Sequence, residues 1–315
     1  MTVQVARRLL LLLASLVVAS IVVFWITNVL PGDPAYVILG TQATPAAVRT
    51  LHEQLGLDVP GVLRYVDWLG GMLTGNFGTS ITSKVPVGPL LLQRLSVSGP
   101  LAIFGMLIAI VVSVPLGVVA GVWHRNLVGL LISGLSMGGI AIPAFWAGLL
   151  LITIFALHLH WLPAGSFVPW SLNPLQSLQS LILPAFALGL IQAAVLVRYI
   201  RSAVIEVQQE DFMRTARAKG LTRWQAMWRH GLRNASIPVV TVLGLQLTSL
   251  LVGAIVIENV FVLPGLGQLL FQSIGNRDLV TAQDLVMVLT AFVLVVNFLT
   301  DLGYRLLDPR LRAAT

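Results

Sequence analysis

Long uncharged runs alternate with short polar segments along the chain, and this pattern predicts six membrane-spanning helices. A helix needs about 20 apolar residues to cross a bilayer. Runs that meet or approach this length lie at residues 9–30, 96–123, 127–157, 181–200, 237–257 and 285–303. We therefore expect an all-α integral membrane protein with six transmembrane helices in a single domain, residues 1–315.

The first run, residues 9–30, also suggests a cleaved signal peptide because Arg7 and Arg8 precede it. The apolar core of a signal peptide is only about 7–15 residues long and ends in small residues. This run is longer and leads into Leu30-Pro31-Gly32-Asp33-Pro34. We expect an uncleaved first helix whose amino terminus is held inside by the two arginines.

Glycine pairs four residues apart occur in the second and third predicted spans. Gly117/Gly121 and Gly134/Gly138 predict close helix packing.

Two polar segments interrupt the apolar runs. Residues 31–94 have the spacing of amphipathic helices and are expected to form an extracytoplasmic loop. Residues 201–236 form the second polar segment, which we expect to be a cytoplasmic loop.

Composition and charge support a membrane location and fix the expected orientation. Hydrophobic residues make up 57% of the chain, charged residues 10%, and mean hydropathy is +0.91, whereas a soluble domain has about 25% charged residues. With both termini cytoplasmic, 14 of the 19 lysines and arginines lie in inner segments, as the positive-inside rule requires. This distribution explains the net charge of +7 without a nucleic-acid partner. The chain has no cysteine, which excludes thiol chemistry and cysteine-ligated metals.

The basic segment 211–238 contains six lysines and arginines and predicts two helices that meet at a glycine. Gly220 suits the left-handed residue that ends a helix. Thr222 and Gln225 have the spacing of a capping box at the start of a second, short helix. A second break is expected at Gly231, before a helix that starts near Pro238. Helices joined at such bends suit docking to another protein.

Several motifs make the chain resemble the permeases of ABC importers, in particular the dipeptide/oligopeptide permease B subunits of the peptide/nickel branch. Residues 214–220 (RTARAKG) and 230–235 (HGLRNA) resemble the EAA loop of this family. The segments 30–34 (LPGDP), 55–58 (LGLD), 75–80 (GNFGTS), 258–261 (ENVF) with 264–267 (PGLG), and 307–310 (LDPR) match the branch in order. Arg214 replaces the usual glutamate, and the expected proline comes late, as Pro238; both departures are usual in the peptide branch.

The resemblance implies a type I ABC importer permease fold in the bacterial plasma (inner) membrane. It implies import of peptides, with a second homologous permease as heterodimer partner, two ATP-binding cassette subunits and an extracytoplasmic substrate-binding protein. This chain would bind no cofactor, since ATP-Mg belongs to the ATPase subunits; neither of its two lysines lies in a Walker A motif. Membrane lipid is the remaining expected partner. The residues expected to couple to the ATPases are Asp211, Arg214, Thr215, Ala216, Arg217, Ala218, Lys219, Gly220, Leu221, Trp224, Met227 and Trp228.

Other interpretations remain open from the residues. The basic segment could be a solvated loop or bind anionic lipid, and the chain could be an ion-coupled secondary transporter, a channel or a membrane enzyme. No catalytic residue is assigned, and His158/His160 lack the acidic or cysteine neighbours of a metal site. Polar residues of the spans could line a pathway or form interhelical hydrogen bonds: Gln192, Gln246, Thr248, Ser249 and Asn297. A further set could form an outer gate, contact the binding protein or simply cap the fifth span: Glu258, Pro264, Gly265 and Gly267.

Overall fold

The computed structural model describes residues 2–29, 34–55 and 58–307, and within these residues the regular structure is helical. An isolated β-bridge pairs Thr79 with Pro86. The helices are α1 (Thr2–Val29), α2 (Pro34–Leu39), α3 (Pro45–Leu55), α4 (Gly61–Thr74), α5 (Val87–Val122), α6 (Leu127–Ala141), α7 (Ala144–Leu151), α8 (Pro174–Gln209), α9 (Asp211–Ala218), α10 (Arg223–Ala226), α11 (Leu232–Val260), α12 (Leu266–Gly275) and α13 (Leu279–Leu307). A 3-10 turn (Gly40–Gln42) and two π-helical segments (Ile152–His158 and Met227–Gly231) complete the set.

Among the described residues, five helical segments are long and apolar enough to cross a membrane: Val5–Thr27, Val87–Val122, Pro174–Gln209, Pro238–Val260 and Leu279–Gly303. The predicted third span, 127–157, is not one straight helix. It divides into α6 and α7 with its π-helical extension, and the two parts meet at an angle of 102°. Pro143 lacks an amide hydrogen and forces Ile142 into an extended conformation, which breaks the helix. The broken pair, counted as one span, gives six.

The helix that contains the predicted fourth span is longer than the sequence suggested. The apolar run indicated 181–200, whereas α8 extends from Pro174 to Gln209. Its start is defined by Asn173, whose side chain accepts hydrogen bonds from the amides of Leu175 and Gln176, both at 3.1 Å, with proline at the first helical position. The first part of the predicted polar segment 201–236 therefore continues a membrane-spanning helix.

The described chain divides into two compact units, of which the first comprises residues 1–96 and 268–295. In this unit α4 packs on α1 through Phe24, Tyr65 and Trp68, whose ring centroids lie 5.4–6.3 Å apart. Aromatic pairs at such distances stabilise a contact beyond the area they bury.

A buried carboxylate in the first unit holds the loop that precedes α5. Asp278 accepts hydrogen bonds from the hydroxyls of Ser80, Thr82 and Thr281, and from the amides of Ile81 and Thr281. Burial raises the pKa of Asp278, but the hydrogen bonds from Ser80, Ile81 and Thr281 outweigh it and leave this pKa below its ordinary value. The ionised carboxylate is thus the form that the loop stabilises.

The second unit comprises residues 97–267 and 296–315 and is built around α8. Gly117 and Gly121 of α5 let this helix approach α8, because a Cβ at either position would overlap Ile200 or Val204. Close packing at this glycine pair confirms the prediction. The other pair, Gly134/Gly138, has open space at both positions, so it makes no close contact within the described part of the chain.

Candidate functional site

The basic segment begins directly after α8 and contains one sharp bend. Glu210 is extended between α8 and α9, and Gly220 has φ +93°, a conformation that glycine adopts without strain. Thr222 Oγ1 then accepts from the amide of Gln225 at 3.3 Å, while the Gln225 side chain accepts from the amide of Thr222 at 3.0 Å. The predicted glycine bend and capping box are both confirmed.

The second predicted break, at Gly231, is wrong. Gly231 has helical angles, φ −81° and ψ −43°, and helical structure runs from α10 through the π-helical segment into α11, with Pro238 inside that helix. A Cβ at Gly231 would overlap the sulfur of Met227. This glycine therefore permits close packing, and α10 has no flexible joint before α11.

The predicted coupling residues divide into an exposed surface and a buried one. The exposed members are Asp211, Arg214, Thr215, Arg217, Ala218, Lys219, Gly220 and Trp228. Arg214 lies 3.3 Å from Asp211 across one turn of α9, and at such exposure this pair adds little stability. The buried side of α9 is formed by Met213 and Ala216. Leu221 and Trp224 are partly buried against the core of the second unit.

Met227 does not belong to the exposed surface. Its side chain has no solvent exposure and lies in the core of the second unit beside Gly231. The expectation that Met227 packs on an ATPase is therefore corrected, since the chain itself covers the residue. Its role is to fix the π-helical segment to the core.

Three tryptophans form an aromatic row, and one of them, Trp123, was not among the residues predicted from the sequence. The rings of Trp123 and Trp224 are parallel, with centroids 5.5 Å apart and an interplanar angle of 2°, and Trp228 meets Trp224 edge-on at 5.7 Å. Trp228 is 55% exposed and Trp123 is 40% exposed. The basic segment thus presents a large aromatic surface beside exposed arginines, the residue types that concentrate binding energy at protein interfaces.

A hydrogen bond ties the same region to α5. The side-chain amide of Gln208, near the end of α8, donates to the carbonyl oxygen of Gly121 at 2.9 Å. Together with the Trp123–Trp224 stack, it joins the end of α5 to α8 and α10. Displacement of α10 would therefore act on the ends of several long helices at once.

The polar residues proposed for a pathway occupy different environments within the second unit. Gln192 and Gln246 are buried, whereas Ser249 is exposed. Thr248 donates to Asn297 Oδ1 at 3.4 Å, a long hydrogen bond between α11 and α13 that fits the interhelical alternative. The Nε2 atom of Gln246 is buried without a partner among the described residues.

Glu258 organises the turn between α11 and α12. It is 1% exposed, and it accepts hydrogen bonds from Ser98 Oγ at 2.5 Å and from the amide of Gly267 at 2.7 Å. The amide of Leu266 donates to Ser98 Oγ at 2.8 Å, and a Cβ at Gly265 would overlap the carboxylate. These contacts support the structural alternative. They correct the expectation that Glu258, Gly265 and Gly267 contact a binding protein, because the chain covers all three; only Pro264 of this set is partly exposed.

No group of three or more histidine, cysteine, aspartate or glutamate side chains suited to a metal occurs among the described residues. His158 and His160 are exposed, and the Nδ1 atom of each lies within hydrogen-bond distance of a backbone carbonyl of the same segment.

Comparison with known proteins gives consistent matches over nearly the whole length. Residues 113–313 match the family described as "Binding-protein-dependent transport system inner membrane component", and residues 1–95 match the corresponding N-terminal family. The chain is 38% identical over 308 residues to the glutathione transport system permease protein GsiC of Salmonella typhimurium (strain LT2), with 98% of both chains covered. It is 36% identical over 312 residues to a protein of Brucella abortus (strain 2308) named as a peptide transport system permease, with 99% of both covered. An inward-facing structure of the MetNI methionine ABC transporter resembles the fold, with a TM-score of 0.56, 17% identity and coverage of 70% of this chain and 96% of that one.

Proposed function

We infer the function from one premise: the chain belongs to the family of inner membrane components of binding-protein-dependent transport systems. It is an ABC-importer permease of the peptide branch and a multi-pass protein of the bacterial inner membrane. The family supplies the membrane passage of an importer and is not a catalytic enzyme.

We propose that the imported substrate is a peptide of the dipeptide or oligopeptide class. The support is that relatives aligned over nearly the whole chain have names that describe peptide or glutathione transport. Glutathione is itself a short peptide, so both names agree on the chemistry of the cargo. Uptake of labelled peptides by proteoliposomes, with a sugar or an amino acid of similar size as the negative control, tests this class.

We propose further that segment 211–238 docks on a cytoplasmic ATPase and that a second homologous permease completes the passage. The carrying observation is that Trp228, Arg217 and Lys219 are all exposed, with the two basic residues directly before the bend at Gly220. Aromatic and basic side chains that project from a rigid helical support are typical of protein contact sites. ATP-Mg would bind to the ATPase partners, and an extracytoplasmic binding protein would deliver the peptide.

The geometry of the segment supports a transmission mechanism for alternating access. Because α10 continues through the π-helical segment into α11, movement of α10 by a partner would tilt α11 directly. The stack of Trp224 on Trp123 would move the end of α5 together with it. Closure of the ATPases on nucleotide would thus convert an inward-open passage into an outward-facing one.

Co-purification tests the docking proposal. We expect the detergent-solubilised chain to co-purify with a second permease and with ATP-binding subunits, and we expect Trp228→Asp to remove the ATP-binding subunits. Trp161→Asp is the matched control, because Trp161 is also exposed, at 68%, and lies outside the segment. Retention of the ATPases by Trp228→Asp would refute docking at this surface. Purification of the wild-type chain alone, with passive flux in liposomes, would support the channel or secondary-transporter alternative.

A further inference from the structure

The outward surface of α4 divides into an apolar strip and a polar edge. Successive helical residues are about 100° apart, so Val62, Val66 and Leu73 project within a narrow arc of the helix. They are 65%, 57% and 82% exposed. Asp67 and Thr74 are also exposed and lie to one side of this arc, on the side where Leu63 is 56% exposed near the start of the helix. The helix therefore has a packed side, an apolar strip and, beyond Leu63, a polar edge.

The packed side of α4 contacts α1 at residues that lie before the end of the apolar segment of α1. Tyr65 Oη lies 2.9 Å from Ser20 Oγ, and a Cβ at Gly61 would lie 3.4 Å from the ring of Trp25. The apolar segment of α1 is Val5–Thr27, so Ser20 lies seven residues before its end. At a rise of 1.5 Å per residue, this corresponds to about 10 Å along the axis.

A second contact within the same unit gives a similar depth. The indole nitrogen of Trp68 donates to Asp284 Oδ1 at 2.7 Å. The candidate span in α13 begins at Leu279, so Asp284 lies five residues inside it, about 7.5 Å along the axis, and directly before the charge-free run that starts at Leu285. Two membrane-spanning helices thus place α4 within the bilayer boundary rather than above it.

The apolar strip of α4 begins directly after Gly61, which packs on Trp25 in an exposed, apolar stretch of α1. Trp25, which packs on the start of α4, is 47% exposed, and Val22 and Ile26 on the same stretch of α1 are 47% and 61% exposed. Tryptophan concentrates at the membrane–water interface. An apolar strip that adjoins such a residue at this depth has acyl chains as its neighbours, while Asp67 and Thr74 reach the headgroups and water.

We propose that α4 is an interfacial helix, which lies in the bilayer boundary with Val62, Val66 and Leu73 inserted among the lipids. The occupant of this surface is phospholipid, namely the headgroup region and the upper part of the acyl chains. Interfacial amphipathic helices insert their apolar side by about 5–10 Å, which agrees with the depth of the Ser20 and Asp284 contacts. The helix ends at Thr74, and the following Gly75 has the left-handed φ of +81° that closes it.

Single-cysteine labelling tests this placement, and the absence of native cysteine makes the chain suited to it. Val66→Cys and Leu73→Cys probe the apolar strip, and their direct neighbours Asp67→Cys and Thr74→Cys are the matched controls on the polar edge. Each full-length variant is labelled with a bimane fluorophore and reconstituted in vesicles of phosphatidylcholine and phosphatidylglycerol. Quenching is measured with phosphatidylcholine brominated near the top of its acyl chains, and separately with aqueous iodide.

We expect the bromolipid to quench each strip position at least about twofold more than its polar neighbour, and iodide to show the opposite order, since interfacial helices bury one side in the boundary. Equal quenching within both pairs would overturn the proposal. Strip labels that neither quencher reaches would also overturn it, because a protein partner would then cover the strip. Two pairs make the result independent of the folding of any single variant, and neither measurement requires transport.

Discussion

Removal of the Ser98 hydroxyl is the perturbation whose effect can be worked out most fully from the structure. Ser98 Oγ donates to the carboxylate of Glu258 and accepts from the amide of Leu266. In Ser98→Ala the carboxylate loses one hydrogen bond, at a cost of about 1.5–3 kcal/mol, and a buried amide loses its acceptor, at a cost of about 1–3 kcal/mol. The two effects share one site and are not additive, so we expect the local opening free energy of the turn to fall by about 3 kcal/mol.

Hydrogen exchange measures this opening free energy directly. Since about 1.4 kcal/mol corresponds to a tenfold change in an equilibrium constant, the amide of Leu266 should exchange about 100-fold faster in Ser98→Ala than in the wild type. The assay is exchange with mass spectrometry on the full chain in detergent, followed in a peptide that covers residues 263–268. Ser136→Ala is the control, because the Ser136 hydroxyl donates only to the carbonyl of Ile132 within its own helix.

Glu258→Gln removes the negative charge of the side chain while keeping its size and shape, so it tests the contribution of the charge alone. The substituted amide still has one oxygen to accept from Gly267, but it removes the charge from both hydrogen bonds, so we expect a smaller effect of about tenfold. An exchange rate for Leu266 in Ser98→Ala within about threefold of the wild-type rate would refute the assignment of Ser98 and Glu258 as the support of this turn.

Three further predictions concern the bend, the tryptophan row and the loop before α5. The Cβ of Gly220→Ala would meet open space, but the residue must keep φ +93°, so we expect the free energy of unfolding to fall by about 1–2 kcal/mol. The midpoint of thermal unfolding should therefore fall, and it should fall less in Gly220→Asn. An unchanged midpoint for both variants would contradict the argument from backbone strain. Trp224→Ala removes a stack worth about 0.5–1.5 kcal/mol on Trp123 and should lower the peptide transported per ATP hydrolysed, a ratio that stays constant if the stack is not involved in coupling. The pKa of Asp278 is lowered from its ordinary value of 3.8, so its ionised form stabilises the first unit at neutral pH, and this contribution should fade as the pH falls from that value through the lower folded-state pKa. Protease cleavage of the loop at residues 79–86, measured against pH, checks the last prediction, with Asp278→Asn as the variant that should lose most of the pH dependence.

Local features of the basic segment were predictable because they depend on neighbours in the sequence. The capping box needs only Thr222 and Gln225 three residues apart, and the bend needs only a glycine after a helical run. Gly231 shows the limit of the same rule. A glycine also occurs where another side chain comes too close for a Cβ, and here Met227 is that side chain, a contact that spacing alone does not reveal.

The contacts that define the two candidate sites join residues far apart in the chain. Trp123 lies at the end of α5, about a hundred residues before Trp224, and no local pattern pairs them. Glu258 and Ser98 are separated by 160 residues, so the sequence left a gate, a partner contact and a structural turn equally open. Pro143 is an intermediate case, because its break follows from the residue type while the angle of 102° depends on packing.

The distribution of bends in the basic segment determines which helix a partner would move. Between α8 and α9 the chain passes through the extended residue Glu210, and between α9 and α10 it turns at Gly220. From α10 onward it is continuously helical, and Met227 fixes the π-helical segment to the core. A force applied at Trp228 therefore has a stiff path into α11 and, through Trp224, into the end of α5, whereas a force applied to α9 must cross a bend in either direction. Gln246 and Thr248, two of the polar residues proposed to line the pathway, lie on α11. A tilt of α11 would therefore move these two side chains, and in this way movement of α10 would reach the proposed pathway.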